Sequence, residues 1–120
     1  MILVDTSVWV DHLSRGAEGL ASLLDEEKVV MHPFVIGELA CGDIRNRRQV
    51  LHLLRALPAA PIASDDEALA MIESHRLMGR GLGWVDVHLL AAAVLGDHVI
   101  WSRDKQLVAA AAALKVKFDE

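Results

Sequence analysis

What is scarce in this sequence narrows the reading first. There is no tyrosine, and aromatic residues make up only 4% of the chain, so Ala, Val and Leu must fill the core. The single cysteine, Cys41, permits neither an internal disulfide nor a cysteine-built zinc site and suits a reducing compartment. Its own place is expected to be a small buried position in a helix. Positive charge is also short: 12 Lys and Arg against 17 Asp and Glu leave a net charge of -5. That balance argues against a general nucleic-acid binder, because neutralising phosphates takes cations. Of the three prolines, Pro58 and Pro61 bracket the only loop-like stretch, too short to join two domains, and no internal repeat is present. The apolar N-terminal run has no basic residues ahead of it and breaks at Asp5, which makes it a poor signal peptide. The run from Leu89 to Trp101 carries Gly96, Asp97 and His98 and is too short to span a bilayer. The expectation is one soluble domain over residues 1–120, with no membrane segment and a cytoplasmic location.

What is present is apolar material in two periods. Hydrophobic residues reach 53% and the mean hydropathy is +0.33, above the usual share for a soluble domain, which leaves apolar surface for a partner. Ile2-Leu3-Val4, Lys28 to His32 and His98 to Ser102 are short runs without polar alternation, as in strands covered on both faces. Between them lie helical patterns. Ser7 is expected to cap a helix over Val8 to Leu13, and Ala17 to Glu27 forms another. Pro33 opens a helix with Val35, Ile36, Leu39 and Ala40 on its apolar side. Gly42 stops it, and Arg45 to Leu57 restarts with Val50, Leu53, Leu54 and Leu57 facing inward. Ser64 followed by Asp65, Asp66 and Glu67 is a strong helix start, running to about Met78. After the flexible Gly79 to Gly83 a helix begins near Trp84, Gly96-Asp97 turns the chain, Arg103 to Leu114 is helical, and Val116 to Phe118 fits a last edge strand. This alternation predicts an α/β sandwich with a mostly parallel sheet.

That topology gives the acids a place to meet. Asp5 ends the first strand, at the sheet edge where open α/β sheets bind ligands. The plain alternative is a turn or capping aspartate. Asp104 follows the strand ending at Ser102, while Glu38 and Asp86 occupy early helix positions near the same edge. Four carboxylates in one pocket raise one another's pKa unless something neutralises them. Oxygen-only donors favour Mg²⁺ or Mn²⁺ over Zn²⁺. The six histidines show no paired ligand spacing. His88 is read as a surface residue or one lying behind the ligands.

The ordered set Leu3-Val4-Asp5-Thr6-Ser7, Gly37-Glu38-Leu39, Gly83-Trp84-Val85-Asp86-Val87-His88 and Trp101-Ser102-Arg103-Asp104-Lys105 resembles the PIN-domain ribonucleases. It is most similar to VapC-type toxins of bacterial toxin–antitoxin pairs, over nearly the whole chain. The resemblance implies a three-layer α/β/α fold and a metal-dependent endoribonuclease. Asp5, Glu38, Asp86 and Asp104 match the acidic quartet, and Ser7 and Ser102 match the small polar neighbours that orient ligands and water. It further implies Mg²⁺ (or Mn²⁺), an RNA substrate, a cognate antitoxin protein and a homodimer. The segment between Glu38 and Asp86 is short, so substrate preference does not carry over. Excluding the four acids, the formal charge is -1. Arg45, Arg47, Arg48 and Arg55, with Arg76, Arg80, Arg103 and Lys105, then either hold phosphates or form an ordinary solvated face.

A second reading keeps the acids structural and makes the chain a non-catalytic interaction module with an apolar groove near Trp9. Metal affinity separates the two. A phosphorylated receiver domain fits less well, because Lys105 starts a helix where such a domain needs a free lysine.

Overall fold

The computed structural model describes all 120 residues. Three strands form a parallel sheet in the order β2-β1-β3: β1 (Ile2–Val4), β2 (Val29–Val30) and β3 (Val99–Trp101). β1 lies in the middle, with Ile2 opposite both Val29 and Val99, and Val4 opposite Trp101. Parallel neighbours need crossovers, and the helices that supply them cover the sheet on both faces. All of β1 and β2 is accordingly buried, as are Ile100 and Trp101.

Seven helices complete the chain: α1 (Thr6–Arg15), α2 (Glu18–Asp25), α3 (Pro33–Ala40), α4 (Arg47–Arg55), α5 (Asp65–His75), α6 (Trp84–Gly96) and α7 (Lys105–Ala113). Several are fixed by their ends. Pro33 opens α3, where a missing N–H costs nothing, and His32 Nδ1 accepts the Phe34 N–H at 3.0 Å. Ser64 and Glu67 form a reciprocal capping box on α5. Arg47 donates to the carbonyls of Ala40 and Gly42, closing the C-terminal end of α3. α6 is the central helix, with Val87 to Ala93 all buried. Small residues on it let neighbouring elements approach closely.

The structure corrects several details of the sequence reading. α1 begins at Thr6 with Asp5 in the capping position, so Ser7 lies inside the first turn rather than capping it. Helix α4 starts two residues later than Arg45, and Leu53 points outward, 59% exposed. Its inward stripe runs through Val50, Leu54 and Leu57, and Leu53 lies one residue, about 100°, away from Leu54. Arg76 in the left-handed region ends α5 before Met78. Cys41 is exposed, because α3 ends at Ala40 and the chain turns outward. The last segment makes one bridge, Lys117 with Ile100, instead of a strand.

Candidate active site

Register brings two of the acids together. Because Val4 pairs with Trp101, the chain leaves β1 and β3 side by side, and the Asp5 N–H donates to the Trp101 carbonyl at 2.9 Å. Asp5 is buried there, and its Oδ2 accepts two hydroxyls, Ser7 Oγ and Ser102 Oγ, each at 2.8 Å. These hydroxyls also tie down the loop that follows β3. Ser7 Oγ accepts the Arg103 N–H, and Ser102 Oγ accepts the Asp104 N–H, both at 3.0 Å. The two serines thus fix both the Asp5 rotamer and the path to Asp104.

Asp104 and Asp86 are held by their own helices, and Glu38 by α1. Asp104 caps α7, its Oδ1 accepting the N–H groups of Gln106 and Leu107 at 2.9 and 3.3 Å. Asp86, in the first turn of α6, accepts the Gly83 N–H through Oδ2 at 2.9 Å. Glu38 lies near the end of α3 rather than at the early position expected, because the helix stops at Ala40; it is exposed, and Thr6 Oγ1 donates to its Oε1 at 2.6 Å. Each carboxylate therefore commits one oxygen to protein donors and keeps the other free of them.

All four share one field. The Asp86 carboxyl is pushed up from its ordinary pKa first by burial and then by the charges of Asp104, Asp5 and Glu38, with the Gly83 N–H pulling the other way. No lysine, arginine or histidine pairs with any of the four within ion-pair distance. As the side chains stand, no three carboxylates, imidazoles or thiols are close enough to enclose an ion. The donor set is nonetheless that of a hard divalent cation: oxygen only, one uncommitted atom on each acid, and no basic residue to compensate it.

Two participants escaped the sequence reading. Thr6 was legible only as a helix former beside Asp5, yet it orients Glu38 from 32 residues away. Asp11, one turn beyond Ser7 on α1, takes Arg103 Nε at 3.3 Å and Arg15 Nε at 2.6 Å. His88 is buried, which rules out the surface alternative of the two expected for it. It packs edge-to-face on Phe34 and Trp84, with Nε2 3.3 Å from Asp65 Oδ1.

Comparison with known proteins agrees with this architecture. A family model described as the PIN domain matches residues 2–113. Proteins named Ribonuclease VapC32 from two strains of Mycobacterium tuberculosis, CDC 1551 / Oshkosh and ATCC 25618 / H37Rv, are each 46% identical to this chain over 121 residues. These matches span 100% of the chain and 98% of the relatives. Among solved structures, FitAcB from Neisseria gonorrhoeae superposes with a TM-score of 0.65 at 23% identity, over 93% of this chain and 94% of that one, a likeness of fold. On sequence and on fold together, the chain belongs to the PIN domain family and is of the VapC type.

Proposed function

We propose that this protein is a divalent-metal-dependent endoribonuclease, the toxin of a toxin–antitoxin pair, hydrolysing RNA phosphodiester bonds at the Asp5, Glu38, Asp86 and Asp104 cluster. The observation that carries this reading is geometric: Ser102 Oγ donates to Asp5 and accepts the Asp104 N–H, joining two acids at the ends of β1 and β3, while Asp86 feels the charges of Asp104, Asp5 and Glu38 and none of the four is ion-paired. The 46% identity to relatives named ribonucleases supports the reaction class. Asp5 and Asp86 would be the principal residues holding a divalent ion, with Glu38 and Asp104 completing the site directly or through water. Mg²⁺ or Mn²⁺, when bound, would supply Lewis-acid activation of water and offset charge building at phosphorus. Ser7 and Ser102 hold Asp5 in one rotamer, Thr6 holds Glu38, and the first turn of α7 holds Asp104. Each side chain is thereby held in one rotamer, and the carboxylates would draw together when an ion binds, since no three of them enclose one as they stand.

The test is Asp5→Asn. It should abolish metal-dependent cleavage of RNA, with the circular dichroism spectrum unchanged. Cleavage persisting in that variant, purified free of contaminating nuclease, would remove the cluster from the chemistry.

A partner site adjoins the acids. Trp9, expected beside the groove, is core; the apolar lining comes from Val10, Leu13, Leu39 and Ile44, with Glu38 and Arg45 at the margin of a cavity of about 400 Å³. An antitoxin helix laid apolar side down in this groove would bring a basic side chain to the carboxylates. The protein acts as a homodimer in the cytoplasm in this reading. No helix is long and apolar enough to cross a membrane.

A further inference from the structure

A pocket of four carboxylates in a chain of net charge -5 repels the polyanion it is to cut, so cations must meet the strand beside the pocket. The arginines of the sequence are not equally free for this. Arg47 is committed to the carbonyls at the end of α3. Arg103 differs. It stands between Ser102 and Asp104, and its backbone N–H is pinned to Ser7 Oγ, so its Cα is fixed at the rim of the acid pocket. Its side chain is 45% exposed, with Nε 3.3 Å from Asp11 Oδ2. Asp11 is itself held, its side chain only 20% exposed and its Oδ1 2.6 Å from Arg15 Nε.

We propose that Asp11 is a positioning residue: it aims Arg103, with Arg15 behind it, as a clamp for an RNA phosphate next to the one being cleaved. The inference rests on the ribonuclease reading above and deepens it. An arginine anchored through Nε keeps both terminal amino groups for a planar fork, the geometry that takes two oxygens of a phosphate. Ser7, Asp11 and Arg15 follow one another at helical spacing along α1, so Asp11 and then Arg15 lead away from the pocket in steps of about 6 Å. Glu18, Asp119 and Glu120 line the crevice on the far side of Arg103, but none pairs with it. The contact between Arg103 and Asp11 joins the loop after β3 to α1, unlike the ordinary one-turn pair of Asp11 with Arg15.

The two views of Asp11 make opposite predictions. If charge alone matters, Asp11→Asn removes an acid and should tighten RNA binding. If Asp11 positions Arg103, the same change should weaken it. Binding is read by fluorescence anisotropy with a labelled single-stranded RNA, each substitution being made in the Asp5→Asn protein so that no cleavage intervenes. Arg103→Ala should weaken binding by about tenfold and reduce the slope of log affinity against log salt by about 0.7 for the lost phosphate contact. Asp11→Asn should weaken binding too, and Arg103→Lys should keep the salt slope while losing part of the affinity. In proteins with Asp5 intact, Asp11→Asn should raise KM several-fold with kcat nearly unchanged. Tighter or equal binding in Asp11→Asn, or a salt slope unmoved by the exposed Arg103→Ala change, would overturn the proposal. An unmodified protein that binds RNA through Arg103 yet never cleaves it would instead overturn the nuclease reading and leave the clamp standing.

Discussion

At the scale of single residues, the site is a set of rotamers held by short polar side chains. Asp5 carries two hydroxyl donors and Glu38 one, supplied by the first turn of α1 and by the loop after β3. Thr6→Val tests what such a donor contributes, since it removes the hydroxyl and keeps the shape. The contact is exposed, so the fold should lose no more than about 1 kcal/mol. Metal affinity, measured by titration calorimetry with Mn²⁺, should fall by about tenfold, the lower end for a group that orients a ligand. Unaltered affinity would show that Glu38 needs no help from Thr6. Asp5, Glu38 and Asp86 could be picked out because each stands beside small or apolar neighbours that give it no local partner, whereas Asp104, between Arg103 and Lys105, was marked by its place after a buried strand. Thr6 and Asp11 could not be picked out, because their partners lie far away along the chain and nothing local distinguishes them from solvent-facing polar residues.

At the scale of elements, helix ends govern what the site can hold. α3 delivers Glu38, and its first turn depends on a neutral imidazole: His32 Nδ1 must accept from the Phe34 N–H. Burial, with a smaller push from His88, lowers the His32 pKa from 6.5 to about 4. Between those two values the unfolded chain takes up a proton that the folded one refuses. Stability is therefore fully present above pH 6.5, is lost as pH falls, and levels off below about pH 4, a cost of up to ~3 kcal/mol. Urea denaturation of the native protein and of His32→Asn, which keeps a capping acceptor but cannot titrate, should diverge in their pH dependence over that window. Parallel curves would mean that the imidazole is not what senses acid. Element identity was readable from pattern, including the proline that opens α3 and the capping box of α5. Element ends were less so: α1 starts at Thr6 because Asp5 leaves the strand in an extended conformation that already serves as the cap position.

For the whole molecule, the order β2-β1-β3 is the deciding fact, because it makes β1 central and puts Asp5 at its end beside the segment after β3 that carries Asp104. The apolar excess is visible on the outside as well. Val10, Leu53, Ile62 and Leu95 are each more than half exposed, in keeping with the proposed homodimer and with an antitoxin on the α1–α3 groove. Light scattering should give twice the chain mass for the isolated protein. Val10→Asp, placed on the groove, should block capture of an amphipathic antitoxin helix without changing that mass. A monomer at micromolar concentration would sink the dimer, and undiminished capture would move the partner elsewhere. By itself, the sequence determined the alternation of strand and helix, the acids worth watching and the exclusion of disulfide and thiolate-metal chemistry, since these follow from local period and from residue type. Only the tertiary structure decided that Val4 stands opposite Trp101, that His88 is buried, that Arg47 is spent on a helix end and that Arg103 is steered by Asp11. Those outcomes depend on register and packing between segments tens of residues apart, where no local propensity chooses among the alternatives.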